Sequence, residues 1–412
     1  MSRFPAPKIG ERTGFPSLRS RAYLNHAAVS PLSVWVQEAV ERCVKDFAAE
    51  GVGAMLPWVA QRNRLRSQIS GFIGGCGALS GQTETQDPTD ASVALLSCTT
   101  QAVAAVAWSI NWQSGDRIVL FRGEFPANVT PWMQVADHFD LEIVWLTLDG
   151  FNPGITGDDG MDQLERVLQD GARLVAVSAV QFRTGLAMPL AEMGALCRRY
   201  GAEFAVDAIQ ACGAIPIDAK MMAIDYLACG SHKWLMSTEG CAFLYVDPSR
   251  VDALKLRLVG WLSHENALDF LFHGPGHLRQ GRPIRQRADA LEMGARNSIG
   301  FSALEAAIRC LDDVGVDNVW THANRYIDAL EAPLVEMGWR SLRAKSPERR
   351  SCILSLEPPE DLEAVVVCRA LDAAGVSCSA PDGLLRFSPS WPNDLDEVPI
   401  VIEAMHRATR GL

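Results

Sequence analysis

The sequence predicts an α/β protein: a large domain on a mostly parallel sheet of seven strands, followed by a smaller α+β C-terminal domain. Three observations carry that expectation. Short apolar runs alternate with helix-length segments between residues 93 and 245. Those runs are rich in Val, Ile and Leu and do not alternate with polar residues, the pattern of strands buried on both faces. After about Gly294 the texture changes to longer helical patterns flanking two short apolar runs.

In order, residues 1–24 read as an N-terminal arm, 25–293 as the large domain and 294–412 as the small one. Residues 35–72 look helical and lead into the large domain. Strand candidates are 93–96, 118–121, 143–146, 174–177, 204–206, 226–228 and 243–246. Joining them through helices implies right-handed crossovers. Beyond 293, helices are expected at 302–314, 318–337, 362–374 and 395–407, and strands at 352–356 and 384–388. The polar stretch 80–90 and the Gly/Arg-rich stretch 273–287 read as loops.

With 412 residues and 48% hydrophobic content, the chain can bury a large core. A net charge of −11 argues against a nucleic-acid partner. No apolar run reaches the ~18–20 residues of a membrane span, and the first residues lack the apolar segment of a signal peptide. A cytoplasmic enzyme is expected. The 11 cysteines include no Cys-x-x-Cys pair, which points to reduced thiols and away from structural zinc. Gly71 to Gly77 is glycine-rich but follows a helical pattern, so it fails the dinucleotide-binding context. His273 and His277 bracket a Gly-Pro-Gly, off any common helical face, so no metal site is expected there. Arg279, Arg282, Arg285 and Arg287 read as solvated loop charges, or as a source of one cation for an anionic substrate group.

The chemistry gathers at the ends of the apolar runs. Ser231-His232-Lys233-Trp234 follows one of them. Desolvation there lowers a lysine's pKa and frees the neutral amine for Schiff-base chemistry. Asp207-Ala208-Ile209-Gln210 ends another run, where open α/β sheets bind ligands. A carboxylate at that place can pair with a protonated pyridine nitrogen, or cap a helix. Ser97-Cys98-Thr99-Thr100 offers N–H and hydroxyl donors to a phosphate at a strand-to-helix turn. Glu124-Phe125-Pro126 brings an aromatic ring to the same edge.

Together these fragments resemble the class V aminotransferase group of fold-type I pyridoxal-5'-phosphate (PLP) enzymes, which includes cysteine desulfurases, selenocysteine and cystine lyases, kynureninases and isopenicillin N epimerase. The resemblance runs from Tyr23-Leu24-Asn25-His26-Ala27-Ala28 through Gly260-Trp261-Leu262-Ser263 to Leu385-Arg386-Phe387-Ser388-Pro389. It implies PLP carried on Lys233, Asp207 at the pyridine nitrogen and Gln210 at the phenolic oxygen. It also implies Thr99, Thr100, Ser231 and His232 at the phosphate, and Phe125 stacked on the ring. Arg386 would hold the substrate α-carboxylate, with Asn25, Ala28 and Gln181 lining the substrate side. A homodimer is implied too.

Three departures stand out. The short loop before Arg386 carries Cys378, which comes too early for the persulfide-forming cysteine of a desulfurase and reads as a buried small residue. Ala295 stands where many relatives have a phosphate-reaching threonine, and Phe182 where desulfurases have an asparagine. A lyase or aminotransferase acting at Cα or Cβ of an amino acid is therefore expected, with persulfide-type desulfuration disfavoured. An epimerase-like enzyme and a non-catalytic PLP-binding module remain as alternatives.

Overall fold

Regular alternation of strand and helix dominates the computed structural model, which describes residues 4–74, 92–152 and 159–410. The loop expected at 80–90 lies outside the described residues. Strands are β1 (Ala22–Tyr23), β2 (Val93–Leu96), β3 (Arg117–Arg122), β4 (Glu142–Thr147), β5 (Leu174–Ser178), β6 (Glu203–Asp207), β7 (Tyr226–Gly230), β8 (Ala242–Val246), β9 (Arg340–Ser341), β10 (Leu354–Glu357), β11 (Val376–Ser377) and β12 (Leu385–Phe387). Helices are α1 (Val34–Glu50), α2 (Met55–Ile73), α3 (Thr99–Ser109), α4 (Thr130–Phe139), α5 (Gly160–Gln169), α6 (Leu190–Tyr200), α7 (Pro248–Val251), α8 (Asp269–Phe272), α9 (Ser298–Val314), α10 (Val316–Glu336), α11 (Ala364–Ala373) and α12 (Val398–Arg410).

All seven expected strands form one sheet, in the order β2-β8-β7-β6-β5-β3-β4. Strands β3 to β7 are mutually parallel, and β8 runs antiparallel to both of its neighbours. Alternate residues feed two cores, one on each face, as the two-residue period of a strand requires. Val119, Phe121, Val175, Val177, Phe204 and Val206 point into one. Ile118, Leu120, Leu174, Ala176 and Ala205 point into the other.

The continuous helical pattern at 35–72 splits into α1 and α2. Gly51 breaks it by adopting φ 55°, a conformation that costs glycine little. A single turn of 3-10 helix, Gly51–Ala54, links the two.

The smaller unit holds a three-stranded antiparallel sheet, β12-β10-β9, under α10, α11 and α12. Its packing redraws both expected boundaries. The N-terminal segment is no separate arm: β1 pairs in parallel with β11, and Ala22 and Leu24 are buried in the small core. At the other end, α9 packs its Phe301, Leu304, Ile308 and Leu311 into the large core. The crossover falls within α10, whose Val319 and Ala323 join the large core and whose Leu330 and Leu334 join the small one.

Close backbone approach fixes α6 against the segment before β7. A Cβ on Gly194 would lie 1.9 Å from the Met222 carbonyl oxygen. The steric cost of overpacking, about 1–3 kcal/mol, exceeds the gain of about 1 kcal/mol from replacing a helical glycine by alanine. Gly194→Ala should therefore lower stability in denaturant titrations. A stabilised variant would show that this contact yields freely.

Candidate active site

The carboxyl ends of β2, β3, β5, β6 and β7 lie along one edge of the sheet, because these strands point the same way. That edge is where an open α/β sheet binds ligands. Asp207 closes β6 there, buried, with its carboxylate accepting the Ile209 N–H at 3.0 Å. Burial raises its pKa to about 7, against the opposing pull of the Ile209 N–H and Lys233. Lys233 follows β7. Burial lowers its pKa to about 8; Asp207 pulls it back up, and Arg386 adds to the lowering. The Lys233 Nζ stands 5.6 Å from the centre of the Phe125 ring.

Phe125 is 45% exposed, although a ring of this size near a strand end is ordinarily core. Phe182 meets it edge-on at 5.3 Å. One face of the Phe125 ring is thus available to a planar group next to Lys233.

Arg386 rises from β12 in the small domain and is only 5% exposed. Its Nη1 donates to the Phe182 carbonyl at 2.8 Å and its Nε to the Ser379 hydroxyl at 3.1 Å. Both acceptors are neutral, and burial lowers the guanidinium pKa to about 10. A structural salt bridge to Asp382 or Asp394 would have been the mundane explanation for this arginine. Asp382 instead pairs with Arg183 at 2.7 Å, and Asp394 caps the turn at Asp396. A buried guanidinium with no acidic partner among the described residues is costly, and its unused N–H groups have the geometry to take a carboxylate by a bidentate bond.

Several buried polar atoms have no hydrogen-bond partner among the described residues: Thr99 Oγ1, Asn25 Oδ1 and Gln181 Oε1. Thr99 opens α3, behind a Cys98 whose sulfur caps the Gln101 N–H. A Cβ on Gly230 would come within 2.8 Å of Thr99 Oγ1 and 3.5 Å of His232 Cε1. The bare glycine therefore lets Thr99 and His232 share one small cradle beside the free N–H groups of a helix start, a fitting receptor for a phosphate. Thr100 is exposed next to Thr99. The set suits PLP: a lysine of lowered pKa, a buried acid, a half-open aromatic ring and a donor-rich helix start.

Two expected contacts differ in detail. The Ser231 hydroxyl faces the Thr238 and Cys241 carbonyls at 2.6 and 2.8 Å. Its single hydrogen is committed to the backbone, so it braces the turn and has none left for a phosphate. Gln210 is clamped, its Oε1 accepting the Trp234 indole N–H at 2.8 Å and its Nε2 donating to the Ala27 carbonyl at 3.0 Å. One Nε2 hydrogen remains for a further acceptor. Asn25 and Ala28 arrive through the N-terminal segment, where Asn25 bridges to Ser388 and accepts the Ala28 N–H at 3.0 Å.

Sequence reasoning assigned no role to Glu124. Its buried carboxyl accepts the Ser178 N–H at 2.7 Å and Gln181 Nε2 at 3.0 Å, and also meets the Ser178 hydroxyl. Burial raises its pKa. It orients Gln181 from below, and its place directly before Phe125 was the only clue in the sequence. Around the 273–287 loop Arg279 is exposed, as expected, and the other three arginines are paired. Arg282 binds Asp269 at 3.0 Å, and Arg285 and Arg287 bind Asp289 at 3.1 and 3.2 Å. His273 and His277 do converge, against expectation, because both turn toward Asp269. The Arg282 guanidinium already occupies one oxygen of that carboxylate. Cys378 is buried in the small-domain core with its sulfur 3.6 Å from that of Cys368. No helix among the described residues is long and apolar enough to cross a membrane.

The family model described as aminotransferase class-V matches residues 86–385. An uncharacterized aminotransferase of Bacillus subtilis is 24% identical over 404 residues, covering 96% of each chain. A cysteine desulfurase of Dickeya dadantii is 25% identical, covering 100% of this chain and 98% of its own. Among solved structures, the apo cysteine desulfurase of Thermococcus onnurineus superposes with a TM-score of 0.81 at 21% identity and full coverage of both chains. The cystine C-S lyase C-DES, in complex with its reaction product cysteine persulfide, gives 0.80 at 20% identity, covering 95% and 98%.

The lowered pKa of Lys233 sets a measurable pH dependence. Mixing apoprotein with PLP, reducing with borohydride and mapping peptides should place the label on Lys233. The rate of labelling should rise with pH through about 8, as the amine loses its proton. A label elsewhere, or a rate that rises only near the ordinary lysine range of about 10.4, would contradict the assignment.

Proposed function

The chain belongs to the class-V aminotransferase family and is a PLP-dependent enzyme, and on that premise we propose that it is a C–S lyase. In this reading it cleaves the Cβ–S bond of a sulfur-containing amino acid by elimination and releases the sulfur product without first binding it to one of its own cysteines. Full-length similarity to cysteine desulfurases and the shared fold of a cystine C-S lyase support the bond. The observation that carries the mode of release is the environment of Cys378. Its sulfur lies in the small-domain core against Cys368, while the next residue, Ser379, is the one that touches Arg386.

PLP, when bound, supplies an electron sink for negative charge developing at the substrate Cα. The residues do the rest. Arg386 grips the α-carboxylate with the N–H groups that Phe182 and Ser379 leave unused. Lys233 would hold the cofactor, and its free amine would take the proton from the substrate Cα. Its lowered pKa makes a neutral amine accessible near pH 8. Asp207 keeps a proton on the pyridine nitrogen, where the burial that raises its own pKa is offset by a cationic neighbour. Thr99, Thr100 and His232 hold the phosphate, and Phe125 covers one face of the ring. Glu124 fixes Gln181 at the substrate side.

A homodimer is part of the reading. Val259, Trp261, Phe270, Leu271, Phe272 and Leu278 expose an apolar strip that supports packing against a second copy.

Two experiments test the proposal. Incubation with cysteine, cystine and related thioethers should yield the matching keto acid, ammonia and a free sulfur species, and Cys378→Ala should leave the rate nearly intact. Turnover that depends on a persulfide at Cys378, seen by mass spectrometry, would overturn the release mode. Arg386→Lys keeps the charge but loses the fork. It should raise KM by an amount corresponding to about 2–3 kcal/mol, with the absorbance of bound cofactor unchanged. An unaltered KM would remove Arg386 from carboxylate binding.

A further inference from the structure

We propose that Cys368 and Cys378 form an oxidisable dithiol, a disulfide site in the small domain whose closure shifts Arg386 and weakens substrate binding. The first half stands on the sulfur geometry alone. The second rests on the reading of Arg386 as the carboxylate anchor.

The two thiols come from different elements. Cys368 lies on α11, and Cys378 follows β11. Their sulfurs are 3.6 Å apart. A disulfide needs about 2.0 Å, so closure asks for side-chain rotation and a small backbone shift. Their exposures differ usefully. Cys368 is partly open to solvent, and Cys378 is buried behind it. Cys378 donates its hydrogen toward the Cys368 sulfur, which lowers the Cys368 pKa to about 7, while the Cys378 thiol is pushed up. Cys368, whose thiol also faces the Cys378 carbonyl at 3.6 Å, is thus the more exposed and more acidic of the two, the side from which an oxidant would enter.

The chemistry closes with a hydroperoxide as oxidant. The Cys368 thiolate attacks the O–O bond, forming an S–O bond and expelling hydroxide or alkoxide, which is protonated to water or alcohol. Cys378 then attacks that sulfur, forming the S–S bond as the sulfenic oxygen leaves as water with the Cys378 proton. Two thiols lose two electrons in all, and the peroxide gains them. A small thiol reductant reverses the change by exchange.

The link to Arg386 is short: one peptide bond and then hydrogen bonds. Ser379 adjoins Cys378, and three bonds tie it to Arg386. The Ser379 N–H donates to the Arg386 carbonyl at 3.2 Å, the Arg386 N–H donates to the Ser379 carbonyl at 2.8 Å, and Arg386 Nε donates to the Ser379 hydroxyl at 3.1 Å. Helix α11 is anchored by buried Val367 and Leu371. The segment after Cys378 runs into the turn Pro381–Gly383, none of whose residues is buried. Closure would draw the Cys378 sulfur toward the helix, and Ser379, bonded to Arg386, is the residue through which that strain passes on.

Holoenzyme treated briefly with hydrogen peroxide, then alkylated and digested, should show the two cysteines joined with loss of two hydrogens. KM should rise about tenfold or more as a charge-assisted bond is lost, with kcat nearly kept and dithiothreitol restoring both. Cys368→Ala should match the untreated protein in KM and be insensitive to peroxide; Cys378→Ala serves if that variant folds poorly. Oxidation of other cysteines without this link overturns the dithiol. A link that leaves KM unchanged overturns the coupling. Mapping requires no turnover, so it stands apart from the lyase assignment. Should no substrate turn over, the affinity of an α-methyl amino acid, read from the cofactor absorbance, takes the place of KM with the same two outcomes.

Discussion

Opposite charges held out of water, each lacking enough partners inside the protein, define the cleft. Asp207 and Lys233 are both desolvated, and each moderates the other's shift. An isolated buried charge would drive its group to the neutral form. Here the pair remains poised, with one group near 7 and the other near 8, because neither is fully compensated. The same deficit recurs at Arg386, whose acceptors among the described residues are neutral. The frame around these groups is the parallel sheet, since only parallel strands bring five chain ends to one edge.

The two domains meet at that edge with different tasks. The large domain provides the lysine, the acid, the aromatic ring and the donor-rich start of α3. The small domain provides Arg386 and its Ser379 support. Polar contacts cross the boundary, Arg386 to the Phe182 carbonyl and Arg183 to Asp382 at the tip of the turn before β12, and apolar ones join them where Cys352, Ile353 and Trp391 pack into the large core. A substrate carboxylate at Arg386 would be read jointly by both domains.

Much of this was legible in the sequence because burial on both faces leaves a periodicity of its own. Each of the seven large-sheet strands coincides with an unbroken apolar run, and the chemistry-bearing residues follow those runs. What escaped was tertiary. Nothing local marks Gly51 as the break between α1 and α2, since a glycine inside a helical pattern is tolerated elsewhere. The commitment of the Ser231 hydroxyl to two carbonyls depends on how the 238–241 turn folds back. The convergence of His273 and His277 needed Asp269, which a helical-face argument did not consider. The seating of residues 22–24 in the small domain depends on a strand partner near the other end of the chain.

That last pairing has a bearing on how the protein is made. A ribosome delivers Tyr23 long before Ser377, so β1 waits unpaired until β11 has been made. Asn25 and Ala28, which follow it, cannot take the positions seen here until β11 and the Ser388 segment emerge. The large sheet can assemble earlier from its own consecutive strands and present the lysine and the acid. A nascent or truncated chain would then be able to gather the cofactor's anchors before it could select a substrate. Synthesis of the segment that carries β11 and Ser388 is what joins the two abilities in one molecule.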